Sequence, residues 1–235
     1  MSYFNFSKKI NNNDVKIIFE LGSRDLIDAI KLLKNYKNSK IYSFECNPDC
    51  LIECRKNLSK LPENLKNKLF LIEKAVSLTN DDITFYPFDL TKYNNMGASS
   101  LFKIDFSLRD KSDMDYNRPN PQKEIKVQGI RLDSFVDEQK IKNIDLLCID
   151  LQGYELNALK SLGKYLHKVK YIITECSITS TYTNGAVFTE LNEYLNKYNF
   201  KYITSNRFGD NFPDLKLTGY SEFDALFINE TTTKT

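Results

Sequence analysis

Residues 15–23 have the sequence VKIIFELGS, which shows how this chain begins a sheet. Val15 to Leu21 form a near-continuous apolar run, typical of a strand buried on both faces, and Gly22 and Ser23 then provide a turn. Beyond the turn, apolar residues recur at helical spacing at Leu26, Ile27, Ile30 and Leu33. The stretch therefore predicts a strand, a turn and a helix, the repeating unit of a parallel α/β sheet.

Outside residues 89–122, the same alternation of short apolar runs with longer amphipathic segments continues to residue 228. Further strands are predicted at residues 40–45, 69–76, 83–86, 125–128, 144–149, 169–174, 201–204 and 223–228. Further helices are predicted from Pro48 onward and at residues 132–136, 156–166 and 187–198. Because no repeat or linker divides the chain, we expect one α/β domain over residues 1–235, with 229–235 as a frayed tail.

The charge balance is nearly even, with 33 basic and 31 acidic residues and a formal net charge of +2. This balance does not indicate a nucleic-acid partner. No apolar run approaches the roughly 18 residues of a membrane span, and the N-terminal sequence MSYFNFSKKINNND does not resemble a signal peptide. We therefore expect a cytoplasmic protein without a membrane span.

The cysteine pattern argues against a disulfide framework, since five is an odd number in a chain of ordinary size. Cys46, Cys50 and Cys54 recur every four residues, which indicates one face of a helix. A zinc site would need a second Cys/His cluster, yet His167 is the only histidine. We expect no structural metal and no disulfide, although a catalytic divalent ion held by carboxylates stays open.

Four predicted strands end in an acidic residue. Ligands of open α/β sheets bind outside the carboxyl ends of the strands, so acids at this edge are candidate binding or catalytic groups. They are Glu20, Glu45, Asp150 and Glu175.

The first turn and the second strand favour a nucleoside ligand. Gly22 lets the backbone approach a ligand closely, and Glu45 stands where nucleoside-binding sheets place a carboxylate for the ribose hydroxyls. The later glycines of the dinucleotide pattern G-x-G-x-x-G are missing.

Six short motifs occur in the order found in FkbM-type methyltransferases. They are ELGSRD at 20–25, FECNP at 44–48, KAVS at 74–77, GASSL at 97–101, RLDS at 131–134 and IDLLCIDLQGYE at 144–155. The chain resembles this family over roughly residues 15–228. The resemblance implies a Rossmann-like, doubly wound, mostly parallel seven-stranded sheet with helices on both faces. It also implies S-adenosylmethionine (SAM) as cofactor, with S-adenosylhomocysteine (SAH) as product.

The resemblance also assigns roles by position. Glu20, Gly22 and Ser23 would line the methionine part of SAM, Glu45 and Asn47 the ribose, and Ala75 and Val76 the adenine, with Asp150 beside the transferred methyl group. Cys46, Ser99 and Gln152 complete the expected cofactor-binding set. Members of the family usually transfer the methyl group to a hydroxyl, often of a sugar or a polyketide-like product, so a saccharide acceptor is expected.

This chain departs from the family at three positions. The family commonly has Lys where Cys148 stands, Glu where Gln152 stands, and a glycine where Leu26 stands.

Methyl transfer to a hydroxyl needs a group that takes the hydroxyl proton. Asp150 is the first candidate base and Glu175 the second. Alternative roles for both are to orient the methionine amino group or to cap a helix. His167 is expected to be a surface residue rather than a catalyst.

Residues 89–122 are rich in Asn, Asp, Ser, Tyr and Pro and lack periodic apolar positions. Long irregular segments inside a compact domain are often functional. We expect this segment to cover the active site and to select the acceptor.

Three alternatives remain open at this stage. They are an RNA 2′-O-methyltransferase, which should have a basic surface, a nicotinamide-dependent oxidoreductase, and a non-catalytic nucleotide-binding module.

Overall fold

The computed structural model describes residues 3–92, 96–105, 122–217 and 222–232, with only the backbone of Phe4 and Asp14. In chain order the strands are β1 Ile17–Leu21, β2 Lys40–Phe44, β3 Leu69–Ile72, β4 Ala75–Val76, β5 Asp82–Phe85, β6 Ile125–Ile130, β7 Ile144–Ile149, β8 Val169–Ser177, β9 Phe200–Ser205 and β10 Glu222–Asn229. The helices are α1 Ile27–Asn35, α2 Pro48–Ser59, α3 Glu63–Lys66, α4 Leu132–Glu138, α5 Glu155–Ser161 and α6 Phe188–Asn196. Short 3-10 helices span Tyr3–Lys9, Asn12–Asp14, Met96–Ala98 and Gly163–Lys168.

Seven strands form the main sheet in the order β3-β2-β1-β7-β8-β10-β9. The pairs from β3 to β8 are parallel, whereas β10 is antiparallel to both β8 and β9. The chain reverses its direction of travel across the sheet between β1 and β7, which is the switch point where such sheets bind ligands. The predicted mostly parallel seven-stranded sheet is confirmed.

Helices cover both faces of this sheet because its strands are apolar on both sides. Phe19 and Leu21 of β1 pack in one core with α4, α5 and α6, whereas Ile18 packs in a second core with α1, α2 and the helix Tyr3–Lys9. A fully buried Leu or Phe contributes about 1.5–3 kcal/mol, so both cores stabilise the sheet substantially. This burial on both faces explains why residues 15–21 form a near-continuous apolar run.

One predicted strand is wrong in extent. Residues 69–76 form two strands, since β3 belongs to the main sheet and β4 to a second sheet with the order β4-β6-β5. The polar pair Glu73 and Lys74 separates them, and the Lys74 N–H donates to the Ile72 carbonyl at 2.9 Å, which turns the chain. The second sheet was not predicted.

Three other boundaries also differ from the prediction. The helix expected at 156–166 is interrupted, because Gly163 has a φ of +49°. Strand β8 continues to Ser177, so Glu175 lies within it rather than after its end. Asn229 is not frayed: it ends β10, is fully buried and donates to the Val169 carbonyl at 3.1 Å.

None of the helices in the described residues is both long enough and apolar enough to cross a membrane.

Candidate active site

A cavity of about 420 Å³ opens at the carboxyl edge of the main sheet. Its volume lies in the range of small-molecule sites. All twelve residues predicted for cofactor binding or catalysis line this one cavity: Glu20, Gly22, Ser23, Glu45, Cys46, Asn47, Ala75, Val76, Ser99, Asp150, Gln152 and Glu175. The structure thus brings the predicted residues together, while the role of each stays a prediction.

The turn after β1 joins three strand ends. Gly22 has a φ of +86°, and a Cβ on it would lie 1.9 Å from the Asp150 carbonyl oxygen, so only glycine fits. The N–H groups of Gly22 and Ser23 both donate to the Phe44 carbonyl, at 3.0 and 3.1 Å. At Leu26, where the family has a glycine, the backbone also adopts a left-handed conformation with a φ of 65°.

Glu20 is buried, and its burial favours the neutral, protonated form of the side chain. The hydroxyls of Ser23 and Ser43 each donate to its Oε2 at 2.7 Å. Burial raises the pKa of Glu20 to about 8 despite these two donors. Cys148 is its neighbour in register on β7, at the position where the family commonly has Lys. This chain therefore has no cation there to hold Glu20 in its ionised form.

Glu45 organises the backbone around the end of β2. Its carboxylate accepts N–H groups from Arg24 at 2.7 Å and from Cys46 and Asn47 at 2.8 Å. Burial raises the pKa of Glu45, and the three N–H donors oppose that effect. A carboxylate has about four acceptor positions, so one remains for a ligand hydroxyl. Asn47 in turn caps α2, as its Oδ1 accepts the Asp49 N–H at 3.1 Å.

The second sheet also contributes to the lining of the cavity. Ala75 and Val76 of β4 are buried and apolar and line the cavity. They offer an apolar surface on which a flat ring can pack, while their role at the adenine stays a prediction.

The GASSL motif lies across the cavity and is fixed at two serines. The Ser99 hydroxyl oxygen accepts the amide of Asn47 and the N–H of Phe88, both at 3.1 Å. The hydroxyl of Ser100 donates to the Gln152 carbonyl at 2.8 Å. Residues 97–100, which line the cavity, are called the cover from here on. That segment 89–122 covers the active site and selects the acceptor stays a prediction. Residues 93–95 and 106–121 of that segment lie outside the described residues.

Asp150 and Glu175, the carboxylate pair, meet at the side chain of Gln152. The Nε2 of this amide donates to Asp150 Oδ1 at 2.8 Å and to Glu175 Oε2 at 2.7 Å. Burial, and next the charge of Asp150, raise the pKa of Glu175 well above its usual range. Burial therefore disfavours the ionised form of Glu175, the form that a proton acceptor needs.

Glu155 supports this loop and was not singled out from the sequence. Its Oε1 accepts the N–H groups of Leu151 at 2.9 Å and Gly153 at 3.1 Å. Burial raises the pKa of Glu155 to about 7. Its place at the start of α5, within the 144–155 motif, was the available signal.

Two tyrosines also contribute to the site without a sequence signal. Tyr3, in the N-terminal 3-10 helix, is buried and lines the cavity. Tyr182 is buried beneath the cover and donates to Gln152 Oε1 at 2.7 Å. No periodicity or strand end marks either residue. His167, by contrast, is exposed and is not among the cavity-lining residues.

The cysteines are all free thiols. Cys50 and Cys54 lie on the buried side of α2, as their spacing predicted, and burial raises the pKa of both. Within the part of the chain that the structure describes, no group of three or more His, Cys, Asp or Glu side chains is arranged to hold a metal ion.

Comparison with known proteins agrees with this geometry. The methyltransferase FkbM domain matches residues 25–202, which is most of the chain. The chain belongs to the FkbM methyltransferase family. It therefore contains a SAM-dependent methyltransferase domain, and the cavity at the switch point is where this fold binds a nucleoside.

One relative is the 2-O-methyltransferase NoeI of Sinorhizobium fredii (strain NBRC 101917 / NGR234). It is 27% identical over 168 residues, which are 71% of this chain. The match spans 65% of the relative's own length.

Two solved structures of FkbM-family and related methyltransferases share the fold. The FkbM methyltransferase from Methylobacillus flagellatus KT has a TM-score of 0.55 at 12% identity, over 97% of this chain and 46% of that one. M. capricolum TrmK, solved in complex with SAH, has a TM-score of 0.52 at 15% identity, over 98% of this chain and 69% of that one. Both confirm the class I methyltransferase fold.

Proposed function

We propose that this protein is a SAM-dependent O-methyltransferase that methylates a hydroxyl group of a sugar or glycan. The observation that carries the proposal is the carboxylate pair, which faces the same cavity as the Gly22 turn and the Glu45 carboxylate. A proton acceptor beside a nucleoside site is what methyl transfer to a hydroxyl requires.

The cavity suits SAM in size and in charge. Seven of its described lining residues are acidic, whereas Arg24 and Lys74 are the two basic ones. Burial favours the neutral forms of Glu20, Glu45 and Glu175, but the four other acids still outnumber the two bases. Such a lining favours a sulfonium cation and disfavours nucleic-acid phosphates, so it supports a saccharide acceptor over RNA. The name of the NoeI relative, a 2-O-methyltransferase, supports transfer to oxygen.

Different residues of the cavity have different roles in the proposed methyl transfer. Glu45 would accept a ribose hydroxyl at its one open acceptor position, and Ala75 and Val76 would flank the adenine. When bound, SAM supplies an activated methyl group for in-line displacement by an oxygen nucleophile. Asp150 accepts the proton of the acceptor hydroxyl, and the cover around Ser99 excludes water from the cavity.

The first test is titration calorimetry with SAM, SAH and NAD. We expect SAM or SAH to bind with micromolar affinity and NAD not to bind. Binding of NAD with equal affinity would favour an oxidoreductase, and binding of none of the three would contradict the proposed cofactor.

The second test separates the acceptor classes. Radiolabelled SAM is offered with a panel of neutral glycosides and, in parallel, with structured RNA. Label transferred to RNA but to no glycoside would overturn the saccharide proposal while leaving the methyltransferase assignment intact.

A further inference from the structure

The amide of Gln152 can serve the carboxylate pair in only one of its two orientations. As oriented, its two Nε2 hydrogens point to Asp150 and Glu175, at 2.8 and 2.7 Å. Rotated by half a turn, the amide would present its carbonyl oxygen to both carboxyl groups and would donate to neither. The two carboxyl groups therefore favour this orientation, and a donor on the opposite side of the amide would favour it further.

The hydroxyl of Tyr182 lies on the other side of this amide. It is 2.7 Å from Gln152 Oε1 and 3.1 Å from the Ala98 carbonyl oxygen. Its single proton is assigned to the nearer acceptor, the amide oxygen. A flipped amide would place its NH₂ group there, and the hydroxyl would have to accept from it and turn its own proton to the Ala98 carbonyl, at the longer distance of 3.1 Å.

Tyr182 is itself firmly placed. Its side chain is 4% exposed and packs with Phe88, Ala98 and Ile104. A Cβ on Gly153 would lie 2.9 Å from the Cβ of Tyr182, so the ring and the loop after β7 are in close contact.

The backbone of Gln152 is fixed as well. It has a φ of +53°, which is unfavourable for a residue other than glycine and persists only where surrounding contacts hold it. Ser100 donates to its carbonyl oxygen, and Glu155 accepts the N–H groups on either side of it. The side-chain amide therefore extends toward the carboxylate pair from a backbone that these contacts fix.

We propose that Tyr182 is a positioning residue, which fixes the side-chain amide of Gln152 and, through it, the carboxylate pair of the active site. The consequence for turnover rests on the proposed function, but the geometric role can be tested without an acceptor. Tyr182 also joins the cover to the carboxylates, since the same hydroxyl lies against Ala98.

The expected direction follows from hydrogen bonding to the ionised form. Hydrogen-bond donors to a carboxylate favour its charged state. Loss of the amide orientation should therefore raise the pH at which the carboxylate pair loses its protons. Besides Asp150, three other acids face Glu175: Glu155 on α5, and Glu222 and Asp224 on β10. Because those groups are unchanged in the variants below, the comparison isolates the amide.

The experiment follows the Asp and Glu side-chain carboxyls by ¹³C NMR as the pH is changed. Tyr182→Phe keeps the packing of the ring and removes the hydroxyl. We expect the midpoint of the carboxyl titration of the pair to move up by about 0.5 to 1 pH unit. Gln152→Ala should produce a similar rise, and adding Tyr182→Phe to it should produce no further change. Tyr202→Phe is the matched control, since its hydroxyl contacts Gly209 and Asn211 outside the cavity.

An unchanged titration in Tyr182→Phe would overturn the inference. So would an equal rise in Tyr202→Phe, or additive effects of Tyr182→Phe and Gln152→Ala. If the protein also methylates an acceptor, the acidic limb of its pH–rate profile should move in the same direction, with turnover about threefold to tenfold lower.

Discussion

Glu45 combines a structural and a ligand-binding task in one carboxylate, since three backbone N–H groups leave one acceptor position open. Replacing it by Ala should weaken SAM binding by about 1–3 kcal/mol, the typical loss of charge-assisted hydrogen bonds. The variant should also melt at a lower temperature, because the three donors lose their partner. Calorimetry and thermal melting measure the two effects separately.

The control for this variant is Glu53→Ala. Glu53 pairs with Lys56 at 2.8 Å on α2 and does not line the cavity. It should leave SAM affinity unchanged. Equal affinities of wild type and Glu45→Ala would contradict the ribose assignment.

Asp150→Asn tests the proposed base. Asn can still accept the Gln152 amide through its Oδ1, so the variant should fold normally. It cannot take a proton at neutral pH, and turnover at saturating SAM should fall by about 10²- to 10⁴-fold. Single-turnover kinetics with an identified acceptor would measure this loss.

Asp145→Asn provides a comparison within the same strand. Asp145 lies near the amino end of β7 and accepts the N–H groups of Lys16 and Ile17, both at 2.8 Å. It should keep normal turnover. If Asp150→Asn is also nearly as fast as wild type, Asp150 is not the base.

For individual residues, the sequence predicts the acids at the strand ends well but not the side chains that contact them. Glu20, Glu45 and Asp150 were predictable because parallel strands bring their carboxyl ends to one edge. Tyr182 was not, since it reaches the site from a loop after β8, where no periodic pattern restricts position. The bridging contact of Gln152 depends on its left-handed backbone, which a non-glycine residue does not indicate.

Among the elements, the cover is held in part by the side chain of Ser100. The Ser100 hydroxyl donates to the Gln152 carbonyl at 2.8 Å and accepts the Phe102 N–H at 3.0 Å. Ser100→Ala should therefore loosen residues 97–102 and speed their amide hydrogen exchange. Stability should fall by about 1 kcal/mol, the net value of a buried hydrogen bond.

Ser59→Ala is the matched control, because Ser59 donates to the Lys56 carbonyl at 2.8 Å on the surface of α2. The rate of amide hydrogen exchange at residues 97–102 should not change in the Ser59→Ala variant. Wild-type exchange rates in Ser100→Ala would show that the cover is held by other contacts.

Strands buried on both faces were predicted accurately because their apolar runs are long, and β7 has the predicted ends. The second sheet was missed for a physical reason. Its strands β4, β5 and β6 are short or partly exposed, so tertiary pairing rather than an apolar run defines them.

For the molecule as a whole, two buried acids make stability depend on pH. The pKa of Glu20 is raised to about 8 and that of Glu155 to about 7, whereas unfolded Glu titrates near 4.3. Between these values the folded state holds protons that the unfolded chain has lost. The free energy of unfolding should therefore fall as the pH rises from about 5 to 8.5.

Glu20→Gln should reduce that decline, by an amount on the order of 1–3 kcal/mol at pH 8.5. Urea unfolding of the ligand-free protein at several pH values measures it. Glu63→Gln, an exposed site on α3, is the control. A wild-type stability that does not decline over this range would contradict the assignment of a raised pKa to both acids.

The position of β10 in the sheet has a consequence for synthesis of the protein. β10 spans residues 222–229 and lies between β8 and β9, so the main sheet can close only after residues 222–229 have left the ribosome. A nascent chain that stops before Glu222 would expose the unpaired edges of two apolar strands at once. Such edges promote aggregation, so premature termination here should produce a substrate for chaperones and proteases rather than a shortened enzyme.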